Sequence, residues 1–225
     1  MEKEIKLDIE EMTQAGLHFG HKPSKTHPKL KPYIFGVRNG ISIFDLEKTK
    51  EKLLLAIKEI QRLVKEQKTI LLVGTSPQLL DLVLEFAKQT NFPYVTKRWL
   101  GGTLTNFSEI KKRVDYYKLL QKEKESGEWE KYTKKERAEK EKELERLRQK
   151  FEGLKTLEKI PDALFVLDMG KDLLAVKEAK KMGVEVIGIV DSNADPNLAE
   201  FPIPANNHSL SSVKFILEKV KEAIL

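Results

Sequence analysis

The sequence predicts an α/β protein: a three-layer core built on a parallel sheet, interrupted by an inserted antiparallel α-helical hairpin of the coiled-coil kind. Three observations carry this expectation. Short β-branched or fully apolar runs recur, as in strands buried on both faces; amphipathic helical patterns separate them at crossover spacing; and one internal stretch changes abruptly to a dense mixture of charges.

Taken in order, residues 33–35 and 41–44 flank Arg38-Asn39-Gly40, where an Asn-Gly turn predicts a small β-hairpin. A helix over residues 47–66 leads to a buried strand over residues 69–73 (TILLV). Val73-Gly74-Thr75-Ser76-Pro77 then opens a helix over residues 77–89, with Ser76 as N-cap and Pro77 in the first helical position. Strands over residues 163–167 (ALFVL) and 184–190 (VEVIGIV) alternate with helices over residues 173–182 and 209–224. Strand, helix, strand at these spacings implies right-handed crossovers, and so a parallel sheet of the flavodoxin- or Rossmann-like sort.

Residues 109–159 break the rhythm, with 17 Lys or Arg and 13 Asp or Glu among 51 residues. A single core cannot bury that many charges, and mixed signs suit solvated helix faces. The apolar residues that remain, Ile110, Val114, Tyr117 and Leu120, then Leu144, Leu147, Phe151 and Leu154, are spaced by threes and fours, as along two narrow seams. Ser126-Gly127-Glu128 breaks the first helix, and Thr133 with Glu136 has the spacing of a capping box that starts the second. The expected organisation is a discontinuous core, residues 1–108 and 160–225, with residues 109–159 as an inserted hairpin.

Composition bounds the function. The chain has 225 residues, 40% of them apolar, and a net charge of +6, which suits a polyanionic partner, whether nucleic acid or an anionic membrane surface. No run reaches the roughly 18 apolar residues of a membrane span, and the N-terminal MEKEIKLDIEE is charged where a signal peptide needs an apolar stretch. A cytoplasmic protein without a membrane partner is expected. Having no cysteine excludes disulfide scaffolds, thiol catalysis, iron–sulfur clusters and zinc fingers. The loop after residues 69–73 lacks both the three-glycine dinucleotide fingerprint and the Gly-Lys-Ser/Thr ending of a P-loop, and no cofactor is expected.

The charges are unevenly placed. Residues 12–44 contain no Asp or Glu, yet hold Lys22, Lys25, Lys29, Lys31 and Arg38 with His18, His21 and His27. Residues 86–108 are also free of acids and carry Lys88, Lys97 and Arg98 among Phe92, Tyr94, Trp99 and Phe107. Clearing acids from two segments builds local fields that the net charge understates. Within the second, Arg98-Trp99-Leu100-Gly101-Gly102-Thr103-Leu104-Thr105-Asn106-Phe107 places paired glycines between aromatics. Thr103 or Thr105 can cap the following helix; alternatively Arg98, Thr103, Thr105 and Asn106 offer donors to a sugar-phosphate backbone, with Trp99 in the core. No metal site is expected, although His18 and His21, three apart on a helix, would share an ion with Asp191 and His208 if one formed. Asp168 and Asp191 end strands at the carboxyl edge, where they cap turns or, in an enzyme, would catalyse.

Several strings coincide with a known pattern. His18-Phe19-Gly20-His21, Lys31-Pro32-Tyr33-Ile34-Phe35-Gly36, Arg38-Asn39-Gly40, Pro93-Tyr94-Val95, the block from Arg98 to Phe107, Pro161-Asp162-Ala163-Leu164-Phe165-Val166 and Ile189-Val190-Asp191-Ser192-Asn193 resemble, in order, the signature blocks of the ribosomal protein S-two family of the bacterial small subunit. The resemblance covers nearly the whole chain. It implies a non-enzymatic component that binds small-subunit ribosomal RNA, has a parallel α/β core with a protruding coiled-coil hairpin, and helps dock neighbouring proteins including the largest of that subunit. Two positions depart from the family pattern: Ser76-Pro77 stands where a basic residue is usual, and Ala205-Asn206-Asn207-His208 where Gly-Asn-Asp-Asp is usual. On this reading Lys22, Lys25, Lys29, Lys31, Arg38, Lys97 and Arg98 face RNA phosphates, with Asn39, Thr103, Thr105 and Asn106 as uncharged donors. The alternative is an α/β enzyme of phosphorylated small molecules using Asp168, Asp191 and His18 or His21.

Overall fold

The computed structural model describes residues 5–225. A short helix, α1 (Ile9–Gln14), precedes an antiparallel ribbon of β1 (Ile34–Arg38) and β2 (Ile41–Phe44). Asn39 and Gly40 at its turn both have positive φ, 52° and 73°, the geometry that an Asn-Gly hairpin supplies. Next come α2 (Leu46–Lys65), β3 (Ile70–Val73), α3 (Leu80–Thr90) and β4 (Tyr94–Val95). Helices α4 (Phe107–Glu125) and α5 (Lys134–Phe151) follow, then β5 (Ala163–Val166), α6 (Leu173–Met182), β6 (Glu185–Val190), β7 (Phe201–Pro204) and α7 (Leu210–Ile224).

The main sheet is parallel throughout, ordered β4-β3-β5-β6-β7. Alternation along its strands makes the three layers. Ile70, Leu72, Phe165, Ile187 and Ile189 face a cluster closed by Met12 of α1, Leu53 and Ile57 of α2, Val83 and Phe86 of α3, and Val213 and Ile216 of α7. Leu71, Val73, Leu164, Val166, Val186 and Val190 face the opposite cluster, closed by Ala175 and Val176 of α6 and by Val114, Tyr117, Phe151 and Leu154. Strand β7 contains Pro202 and Pro204, which lack ladder donors and are accommodated because β7 is an edge strand.

Helices α4 and α5 run antiparallel: Lys124 pairs with Glu141 at 2.6 Å, Lys140 with Glu123 at 3.1 Å, and nearer the base Tyr117 donates to Glu152. Gly127, at φ 79°, makes the turn after α4, and Thr133 and Glu136 form the capping box that starts α5. The base of this hairpin roots in the core. Val114, Tyr117, Phe151, Leu154 and Leu157 share the apolar cluster of Leu164 and Val184, and a Cβ at Gly153 would overlap the Tyr94 carbonyl. The part beyond Leu120 and Leu144 is built chiefly from charged, exposed residues.

Candidate nucleic-acid interface

The acid-free N-terminal segment is hydrogen-bonded to the loop that leaves β6. Residues after α1 turn and run beside β2, with Gly20 N–H donating to Ser42 O at 2.9 Å and Phe44 N–H to His18 O at 2.8 Å. A Cβ at Gly20 would stand 2.9 Å from Ser192 Oγ and 3.1 Å from Ser42 O, so only glycine permits this approach. His21 N–H then donates to Ser192 Oγ at 2.7 Å, and His27 N–H to Ser192 O at 2.7 Å. Two 3-10 turns, Pro23–Lys25 and Pro28–Tyr33, each with proline at its start, set the spacing of the lysines. His18 and His21 therefore lie past the end of α1, not on a helix as expected, because Gly16, at φ 78°, turns the chain first.

Lys22, Lys25, Lys29, Lys31, Arg38 and Asn39 are all exposed. The fold brings one acid back to them: Lys29 Nζ meets Asp195 Oδ2 at 2.7 Å, and although burial pushes the Asp195 carboxyl up, the bonds from Lys29 and the Asn197 N–H outweigh it and leave the pKa below the ordinary aspartate value. Lys22, Lys25, Lys31 and Arg38 have no ion-pair partner among the described residues.

In the second segment Lys97 and Arg98 lie just beyond β4, again at the carboxyl edge of the sheet, three strand spacings from β6. At about 4.8 Å per spacing this separates the two strand ends by about 14 Å. Lys97 and Arg98 are exposed and Trp99 is buried, as expected. The donors that follow behave differently from expectation. Glu178 of α6 accepts from Trp99 Nε1 (3.2 Å), Gly102 N–H (2.8 Å), Leu104 N–H (3.0 Å), Thr105 N–H (3.2 Å) and Thr105 Oγ1 (3.1 Å). Thr103 is 1% exposed and donates its hydroxyl to Leu100 O at 2.6 Å, which withdraws it from any outward face. Neither threonine caps α4, whose N-cap is Asn106 without a side-chain cap bond; Asn106 and Thr105 remain exposed. Glu178 is the site residue that sequence reasoning missed. Its one signal is an acid among buried neighbours Ala175, Val176 and Ala179 on the apolar stripe of α6.

Of the four candidate ligands, His21, Asp191 and His208 offer atoms within 4.8 Å of one another, and His18 is not among them. His21 Nδ1 lies 3.0 Å from Asp191 Oδ1, the rings of His21 and His208 are 5.0 Å apart, and Asp191 Oδ2 is buried without a hydrogen-bond partner among the described residues. Two imidazoles and a carboxylate are a donor set that borderline divalent cations accept. His18 stands apart, its buried Nδ1 without a partner among the described residues, and burial lowers its pKa.

Asp168 serves another network, between the carboxyl ends of β3 and β5 where the crossovers reverse direction. Its Oδ1 accepts from Lys171 N–H at 2.9 Å, its Oδ2 lies 3.4 Å from Ser76 Oγ, and Lys171 Nζ donates to Thr75 O at 3.0 Å. Asp172 accepts from the Thr75 hydroxyl at 2.7 Å. Thr75, Ser76, Asp168 and Asp172 are all buried, so this crevice is filled by its own side chains. Lys171 Nζ also lies 3.4 Å from Ser76 Oγ, which places a positive charge beside that residue.

The structure is thus an α/β scaffold that presents exposed bases without ion-pair partners among the described residues and whose switch-point crevice is filled by its own side chains. The model of the family "Ribosomal protein S2" matches residues 12–225. The chain belongs to that family. It is similar to proteins named "Small ribosomal subunit protein uS2": 45% identical over 217 residues to that of Dictyoglomus thermophilum, covering 96% of this chain and 88% of the relative. Identity to that of Coprothermobacter proteolyticus is 42% over 219 residues, covering 97% and 82%. For that of Roseiflexus sp. it is 41% over 219 residues, covering 97% and 84%.

Proposed function

We propose that this chain is a structural component of the small ribosomal subunit, acting in translation by binding ribosomal RNA and neighbouring ribosomal proteins, and that it is not an enzyme. The observation that carries the proposal is family membership over nearly the whole length, joined to exposed bases, unpaired among the described residues, on a segment hydrogen-bonded to β2 and to the loop after β6. Lys22, Lys25, Lys31, Arg38, Lys97 and Arg98 meet phosphates, with Asn39 and Asn106 as neutral donors; Thr105 drops out because its N–H and hydroxyl both donate to Glu178, and Lys29 contributes less because Asp195 partly neutralises it. Lysines so used position RNA, and specificity comes from RNA shape. Docking of the largest small-subunit protein, and residence in the cytoplasm on the ribosome, belong to the same reading through the family resemblance. An enzyme of phosphorylated small molecules would need Asp168, Asp191 and a histidine at one point, whereas these aspartates serve separate networks. Sedimenting a tagged copy through a sucrose gradient tests the proposal: the protein travels with the small-subunit peak, and a protein that stays at the top refutes it.

A further inference from the structure

The β1–β2 ribbon carries an apolar feature that the core does not use. Phe35 is 80% exposed and Val37 59% exposed. The pairing explains how Phe35 is turned out: Ile34 faces Phe44 and Gly36 faces Ile43, so two successive β2 residues match alternate β1 residues and Phe35 has no partner. Such a bulge bends the strand and re-aims a side chain. Beside it, a Cβ at Gly36 would meet nothing within 4 Å, and its φ does not require glycine. A bare strip next to an outward aromatic ring lets a flat partner approach closely.

The surroundings decide what that partner is. Lys31 and Arg38 are exposed without an ion-pair partner among the described residues, Asn39 is exposed at the turn, and residues 12–44 contain no acid. Protein interfaces are depleted of lysine around their aromatic anchors, whereas single-stranded RNA sites combine a basic track with aromatic rings on which unpaired bases stack. We propose that Phe35 is the stacking platform for an unpaired base of ribosomal RNA, flanked by phosphate contacts from Lys31 and Arg38. This inference rests on the RNA-binding reading above.

The test uses the full chain and deproteinised small-subunit ribosomal RNA as probe, with affinity measured across a salt series. Phe35→Leu keeps apolar bulk and loses the ring; it should weaken binding by about 5- to 100-fold while leaving the salt slope unchanged. Phe35→Trp should bind within about 2-fold of wild type, since either ring stacks a base. Ultraviolet cross-linking of the wild-type complex should yield a nucleotide adduct on Phe35, a readout that stands even if a variant folds poorly. Wild-type affinity of Phe35→Leu for this RNA overturns the proposal, and if that variant then fails only in subunits containing the other proteins, Phe35 meets a protein. Failure of the wild-type chain to bind the RNA in a salt-dependent manner refutes the RNA-binding reading itself.

Discussion

Trp99 Nε1 donates to Glu178 Oε1 across 3.2 Å, joining residues 79 positions apart in the chain. This bond belongs to a set in which one buried carboxylate gathers the donors of the Gly101-Gly102 block, and it explains why so glycine-rich a loop is ordered. Burial pushes the Glu178 carboxyl up, but hydrogen bonds from Gly102, Leu104, Thr105 and Trp99 more than offset this and hold its pKa below the ordinary 4.5.

Glu178→Gln should therefore destabilise the fold by about 2–4 kcal/mol at neutral pH, because an amide NH2 must oppose one set of N–H donors. With the folded pKa depressed, the carboxylate's contribution is present above the unfolded value and lost as pH falls through the folded one. The gap in urea midpoint between wild type and variant should narrow below pH 4.5. A gap that stays constant down to acid unfolding would show that shape, not charge, orders the loop.

Asp172 should show the opposite pH trend. Burial raises its carboxyl, bonds from Thr75 lower it, neighbouring Asp168 raises it and Lys171 lowers it, with a net upward shift. A raised folded pKa means that its contribution is fullest at low pH and is lost as pH rises through that value. Asp172→Asn mimics the neutral form, so at neutral pH it should lie within about 1 kcal/mol of wild type. Relative to wild type it should lose ground as the solution is acidified. Parallel trends for the two variants would contradict the assigned cause.

The hairpin should be separable only beyond its base. Replacing residues 122–143 by a short Gly/Ser turn keeps Val114, Tyr117, Phe151 and Leu154 in the core and should leave a cooperatively folding domain. Removing residues 109–159 entirely strips those side chains from the cluster, each worth about 1.5–3 kcal/mol when buried, and should give a weaker or molten product. Circular dichroism melts decide between them. A shorter deletion that also fails to fold would place the outer hairpin within the core.

How far the sequence could be read follows from where the signals lie. Strands β3, β5 and β6 are central and buried on both faces, so their apolar runs identify them; β4 has only Tyr94 and Val95, and β7 is punctuated by Pro202 and Pro204. Both are edge strands, defined by the neighbour that pairs with them, not by local pattern. The capping box of α5 was legible because it closes within four residues. Exposed lysines were legible from charge alone, but Asp195 beside Lys29 and Glu178 beneath Thr105 come from distant segments that no local pattern connects.

The claim that the N-terminal bases carry phosphate recognition is tested most directly by the salt slope of binding to small-subunit ribosomal RNA. Lys22, Lys25 and Lys31, exposed and unpaired among the described residues, are changed together to Gln. Lys134, Lys135 and Lys142 on the outer face of α5 serve as the matched control. The N-terminal variant should lose affinity and flatten the slope by about 1 for each lost phosphate contact, with folding changed by no more than about 0.5 kcal/mol. The control should change the slope much less, because acids of the same helix already offset those charges. Equal losses in both variants would contradict the account, since binding would then follow net charge and the N-terminal segment would have no special place in it.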